Sequence, residues 1–292
     1  MIERIDHLIV AVKDLEAAED NYKKIFGHDP VWRGAHESLG TKNSIFNFNN
    51  LYFELLAANG KGAGASLVNS SIEENGEGLA GLVFGSDNIE TTKQQLSSKG
   101  YELSGLALGE GFDEDAGKKR TWESLFLPNE ITRGLFSFAI EHKTGKLDLL
   151  DRFTSDCVHK LDHVVINTND TEGFIRVYEK DLGIRLALDQ TVEKWGGRML
   201  FFRLNQTTIE VIARPDEGIS KDSLWGLAWD VEDLEATHTR LTQLGIEASM
   251  LKKEESPIHL SPRLNPILVI YLLYLFSIWI LKFIIYPIRC IN

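Results

Sequence analysis

The chain has 292 residues, 43% hydrophobic and 25% charged, enough apolar material for a large core and for more than one average domain. A formal net charge of −12, with no Lys/Arg cluster to interrupt it, excludes the electrostatic footprint that a phosphate backbone requires, so no nucleic-acid partner is expected. Two cysteines, Cys157 and Cys290, lie far apart without metal-ligand spacing, and the N-terminus lacks the regions of an export signal, so a reducing, cytoplasmic location is expected.

The first element, "IDHLIVAV", is a short apolar run rich in β-branched residues and predicts a buried strand. Asp14 follows as the N-cap of "LEAAEDNYKKIF", in which Leu15, Ala18, Tyr22 and Ile25 form one apolar face, and Gly27 ends this helix. Segments around "PVWRG", "NSIFNF" and "LYFELLA" predict three strands, with Asn49-Asn50 as the tight turn between the last two. The unit reads βαβββ.

That unit recurs. Placing Asp6-His7 on Asp162-His163 brings Asp14 onto Asp170, Tyr22 onto Tyr178 and Glu54 onto Glu210, each without a gap. "GLAGLVFGSDN" and "SLWGLAWDVED" open two further related units, with Gly81 and Gly226 at the place of the histidine and Asn88 and Asp233 at the place of the cap. The chain therefore holds four units in the order odd, even, odd, even. Strand alternation puts Glu54 on one face with Tyr52 and Leu56, and leaves Leu51, Phe53 and Leu55 to pack under the helix. His7 shares its face with Ile5 and Ile9, and a buried imidazole or carboxylate needs a partner, either each other or a metal ion.

Repeated βαβββ units with an early-strand histidine and a last-strand glutamate resemble the vicinal oxygen chelate superfamily, the glyoxalase and bleomycin-resistance-like fold, over roughly residues 4–255. "RGAHESLGTKN", "FELL" and "GEGLAGLVFGSDN" are similar to glyoxalase-like members of that superfamily. The resemblance implies an α+β protein whose four units pair into two domains, residues 1–146 and 159–255, joined by a linker at 147–158. It further implies that His7 and Glu54 are ligands of one divalent ion, with His163 and Glu210 as their counterparts in the second domain.

A firm metal site needs a third protein ligand, and "GLFSFAIEHK" offers Glu141 and His142. Parity favours Glu141, because His142 falls in line with Phe136, Phe138 and Ile140, which read as a helix-packed face; the resemblance makes His142 the alternative. Such a His-plus-carboxylate set suits Mn, Fe, Ni, Co or Zn. With open coordination positions it implies a lyase, isomerase or dioxygenase acting on a small substrate with vicinal oxygens, with Glu54 and Glu141 placed for catalysis. Gly226 stands where extradiol dioxygenases carry a second histidine, which counts against that one activity. Asn43, Arg120 and Trp122 are the expected substrate contacts, and Arg33, Lys42 and Arg120 leave room for one small anionic group. The alternative is a metal-free protein that sequesters aromatic molecules between Trp32, Phe46, Phe48, Tyr52 and Trp122. A homodimer is left open.

The C-terminal segment departs from the pattern. By the spacing of the second unit, the last carboxylate of the fourth falls on Tyr286, and residues 256–292 form an apolar tail containing "ILVIYLLYLFSIWIL". A tail anchor in a membrane, buried replacement strands, and non-native sequence from a shifted reading frame or read-through are the three accounts of it. Having lost its even-unit ligand, the His163–Glu210 pair is expected to hold metal weakly or not at all.

Overall fold

The computed structural model describes residues 2–113, 115–150, 152–192, 197–214, 222–246, 248, 267–275 and 278–285. Eight strands, β1 (Arg4–Ala11), β2 (Trp32–His36), β3 (Thr41–Asn47), β4 (Tyr52–Ala58), β5 (Gly78–Gly85), β6 (Ala107–Asp113), β7 (Lys118–Phe126) and β8 (Phe136–Thr144), close into a barrel in the order β1-β4-β3-β2-β6-β7-β8-β5. Helices α1 (Leu15–Phe26) and α3 (Ile89–Ser98) cross outside it, α2 (Ala63–Asn75) follows β4, and a short α4 (Asn129–Thr132) precedes β8. The second half carries β9 (Val158–Thr168), α5 (Thr171–Ile175, continued as a π-helical stretch to Asp181), β10 (Arg185–Val192), β11 (Gly197–Leu204), β12 (Thr207–Ala213), β13 (Ser223–Val231) and α6 (Leu234–Gln243). The protein is thus α+β and built from βαβββ units.

Each unit opens in the same way for the same local reason. Asp14, Asn88, Asp170 and Asp233 follow their strands and accept hydrogen bonds from the backbone N–H groups of Ala17, Thr91, Gly173 and Ala236, so one short polar side chain stops the strand and starts the helix. Asp14→Ala should lower the stability of the barrel by ~1 kcal/mol in chemical denaturation, with the slope of the transition unchanged.

The two halves share one core. Trp229 of β13, fully buried, packs against Phe26, Phe48 and Phe53 of the barrel's outer layer at centroid distances of 5.1, 4.7 and 5.9 Å. The Asn49-Asn50 turn reaches across as well, since Asn50 Nδ2 donates to Leu161 O and Thr207 Oγ1 at 2.7 and 2.8 Å. Phe46 and Phe48, expected beside a groove, belong to this helix-side core.

The fourth unit is the exception. β5 pairs in parallel with β8, which closes the barrel, whereas its counterpart β13 pairs antiparallel with β14 (Ile267–Leu275), itself paired with β15 (Ile278–Ile285). The second sheet therefore stays open, with the order β10-β11-β12-β9-β13-β14-β15. β14 and β15 extend this sheet without repeating the pattern of the second unit. Tyr286 and the expected boundary near residue 255 lie outside the described residues. Among the described residues no helix is long and apolar enough to cross a membrane.

One helix was not foreseen. Between Gly62 and Gly76, α2 turns back over the barrel and inserts Val68 and Ile72 among Ile9, Ala11, Leu56, Val83 and Ile140. It fills one half of the barrel's interior with apolar packing and leaves the other half polar.

Candidate metal centre

The polar half is built by a defect in β1. Its pairing with β5 skips from Ile5↔Phe84 to His7↔Val83, so Asp6 is the extra residue of a β-bulge and its side chain is turned in beside that of His7. Asp6 Oδ1 lies 2.8 Å from His7 Nδ1 and 3.0 Å from His142 Nε2. Burial raises the pKa of Asp6, but the hydrogen bonds from His142 and His7 outweigh it and hold the group far below the usual carboxylate range. An ionised carboxylate only accepts, so both imidazole nitrogens that face Asp6 carry protons.

The other ring nitrogen, His7 Nε2, points at Glu54 Oε2 across 3.5 Å, and in the neutral ring it is a lone pair. Both residues are buried, His7 at 2% and Glu54 at 7% exposure. Two acceptors facing one another out of water repel unless a proton or a cation lies between them. The surroundings keep both in place. Tyr52 stacks on the His7 ring at 4.3 Å, and Asn43 Nδ2 donates to Glu54 Oε1 at 2.6 Å. His36, whose pKa burial lowers, places Nδ1 2.9 Å from Thr41 Oγ1 and sits edge-on to Trp122.

Of the expected site residues, the barrel brings together His7, Glu54, Asn43, Arg120, Trp122 and His142. It does not bring Glu141. The parity expectation for β8 is corrected: Phe136, Phe138, Ile140 and His142 face inward with α2, whereas Glu141 faces α3, accepts from Ile89 N at 2.8 Å and pairs with Lys143 at 2.6 Å. Arg33 also points outward, to Glu19 at 2.5 Å. Sequence reasoning passed over Asp6 and His36 as site residues; the repeated Asp-His pair was the available signal for the first, and His36 had none.

The second sheet repeats the bulge. Pairing of β9 with β13 skips from Leu161↔Trp229 to His163↔Ala228, which makes Asp162 the extra residue. His163 Nδ1 lies 2.8 Å from Asp162 and Nε2 3.0 Å from Glu210. Burial opposes its charge, but the two carboxylates prevail and raise its pKa to about 10, so this imidazole is doubly protonated and bridges them.

Fitness for a metal follows from these contacts. His7 Nε2 and Glu54 Oε2 offer one nitrogen and one oxygen at a separation that a shared divalent ion allows, and Asp6 holds the far nitrogen of His7 as outer-shell carboxylates do. His142 stands in the same chamber with its Nε2 on Asp6. Among the described residues no three His, Cys, Asp or Glu side chains converge as a finished ligand set. Beyond His7 and Glu54 the same strand faces continue through Ile9 and Leu56 into a cleft of about 730 Å³ bounded by α2, Phe136 and residues 222–225.

Comparison with known proteins agrees with this architecture. Two solved structures share the fold over most of the chain. A triple mutant of 4-hydroxymandelate synthase from Streptomyces coelicolor aligns over 97% of this chain and 91% of its own, at 15% identity and a TM-score of 0.63. A hypothetical protein from Staphylococcus aureus aligns over 73% and 87%, at 15% identity and a TM-score of 0.56. Methylmalonyl-CoA epimerase from Streptomyces coelicolor covers 48% of this chain and 97% of its own, at 19% identity and a TM-score of 0.38. No curated protein matches in sequence. The family model described as a glyoxalase-like domain matches residues 5–155, and that of the Glyoxalase/Bleomycin resistance protein/Dioxygenase superfamily matches residues 162–257. The chain therefore belongs to the glyoxalase-like family, with one domain of that superfamily in each half.

Proposed function

We propose that the barrel chamber holds a divalent ion, Mn, Fe, Ni, Co or Zn, through His7 and Glu54, and that the protein is a metal-dependent enzyme acting on a small substrate with adjacent oxygens. The single observation that carries this reading is the pair His7 Nε2 and Glu54 Oε2, both buried and facing one another 3.5 Å apart. A bound ion with open positions supplies Lewis-acid stabilisation of negative charge developing on the substrate's oxygens. The chain's own residues do the rest. Asp6 fixes the tautomer and orientation of His7, Tyr52 restricts its ring, and Asn43 locks Glu54 with one oxygen turned to the chamber. His142, held at Nε2 by Asp6 and at Nδ1 by Arg120, is the third ligand once Arg120 gives up its Nδ1. Glu141, held by Ile89 N and Lys143, serves the fold. Lyase, isomerase and dioxygenase chemistry all suit such a centre, and the identity of the ion selects among them.

In the second sheet the imidazolium of His163 takes the place of the ion between Asp162 and Glu210, and we assign that pair no metal. Asp6→Asn should weaken metal affinity in the barrel by ~10–100-fold while the ligands remain, as read by competition with a chromophoric chelator. The function itself is tested on protein purified without chelator, by metal content together with metal-stimulated turnover of 2-hydroxy ketones and catechols. Turnover that tracks bound metal is the expected result. Metal-free protein that binds such compounds tightly without converting them would replace this reading by sequestration.

A further inference from the structure

We propose that the chamber's ligand is a small 2-hydroxycarboxylate, with its carboxylate on Arg120 and its hydroxyl on Asn43; this rests on the metal reading above. Arg120 is 6% exposed, yet among the described residues no carboxylate lies within ion-pairing distance of it and its Nε has no hydrogen-bond partner. Its guanidinium lies over the rings of Tyr52 and Trp32, 5.2 and 5.6 Å from their centroids, and its Nη2 is 3.4 Å from His142 Nδ1. An arginine does not shed its proton, so a full charge is buried here against aromatic faces.

Asn43 supplies the complement. It is 2% exposed, and its amide is oriented by Glu54, since only Nδ2 can donate to Oε1 at 2.6 Å. Asn43 Oδ1 is left buried without a donor. One chamber therefore holds a positively charged guanidinium with one unmatched N–H donor, Nε, and an unmatched acceptor. Ordered water satisfies either hydrogen bond but brings no charge. The charge of Arg120, which no carboxylate of the described residues meets, calls for an anion. A carboxylate matches the planar donor fork, and a neighbouring hydroxyl can donate to Asn43 Oδ1. An oxo group there could not. Trp32, Tyr52 and Trp122 wall the chamber, so its occupancy is visible in tryptophan fluorescence.

The test titrates the full chain, with metal content measured on the same sample, against lactate, propionate and lactamide. Propionate lacks the hydroxyl and lactamide the charge. Lactate should bind at least about tenfold more tightly than either, and Arg120→Gln should weaken it by a similar factor with metal content unchanged. The comparison of the three probes on the unmodified chain needs no variant to fold. Equal affinities, or lactate binding unaffected in Arg120→Gln, would overturn the proposal while a metal-loaded protein left the metal reading standing. A metal-free chain overturns the metal reading; lactate binding by it that Arg120→Gln removes would still support the anion site, and its absence would sink both.

Discussion

Replacing His163 by alanine is expected to destabilise the protein by ~3–5 kcal/mol at pH 7, because it removes the cation from between two buried carboxylates. His163, Asp162 and Glu210 are 4%, 6% and 7% exposed, so water cannot take over the imidazolium's role without opening the sheet. The same arrangement sets a pH dependence. The pKa of His163 is raised from 6.5 unfolded to about 10 folded, so its contribution is fully present below pH 6.5 and is lost as pH rises towards 10. Asp230 acts in the same sense at lower pH: burial raises its pKa to about 6, so its ionisation between pH 3.8 and 6 penalises the folded state. Asp6 acts oppositely. Its folded pKa is depressed, so its contribution is present above pH 3.8 and is lost on further acidification. Chemical denaturation from pH 6.5 to 10 should show stability falling in the unmodified chain and a much flatter profile in His163→Ala. A parallel decline in both would show that His163 does not bridge the carboxylates.

Glu54→Ala is expected to abolish tight metal binding and metal-stimulated turnover together, a larger loss than the ~10–100-fold set for an outer-shell change such as Asp6→Asn. The substitution removes one of the two donors that face each other and frees Asn43 Nδ2, which has only a distant contact, 3.5 Å to His36 Nε2, to fall back on. The fold should survive, because Glu54 sits on the polar side of β4 while Phe53 and Leu55, its neighbours in the chain, carry the core contact under α1. Turnover retained in Glu54→Ala would refute the assignment, whatever its metal content.

The repeat made most of this fold legible, because its gapless spacing fixes strand, cap and carboxylate together: Asp14 and Asp170 cap their helices, and Glu54 and Glu210 both reach the histidine of their own unit. Parity worked on β4, where one face is plainly apolar. It failed on β8, where both faces are buried. Phe136 and Phe138 face inward because α2 fills that half of the barrel, and Ser137 and Ala139 lie on the other face of the strand, where Ala139 joins the core under the outer helices. Side-chain size says nothing about direction in such a strand. The helix responsible, α2, was itself hard to see: it is flanked by glycines and anchored only by Ala65, Val68 and Ile72. The bulges at Asp6 and Asp162 escaped for a different reason, since a one-residue slip between β1 and β5 is a property of the pair and leaves no trace in either strand alone.

The central claim is that the ion is held inside the barrel by His7 and Glu54, with Glu141 uninvolved, and cobalt(II) titration followed by visible absorption tests it most directly. The unmodified chain and Glu141→Ala should each take up one tightly bound ion per chain with the same spectrum, while His7→Ala shows none. Loss of the tight site in Glu141→Ala, with its retention in His7→Ala, would contradict the account.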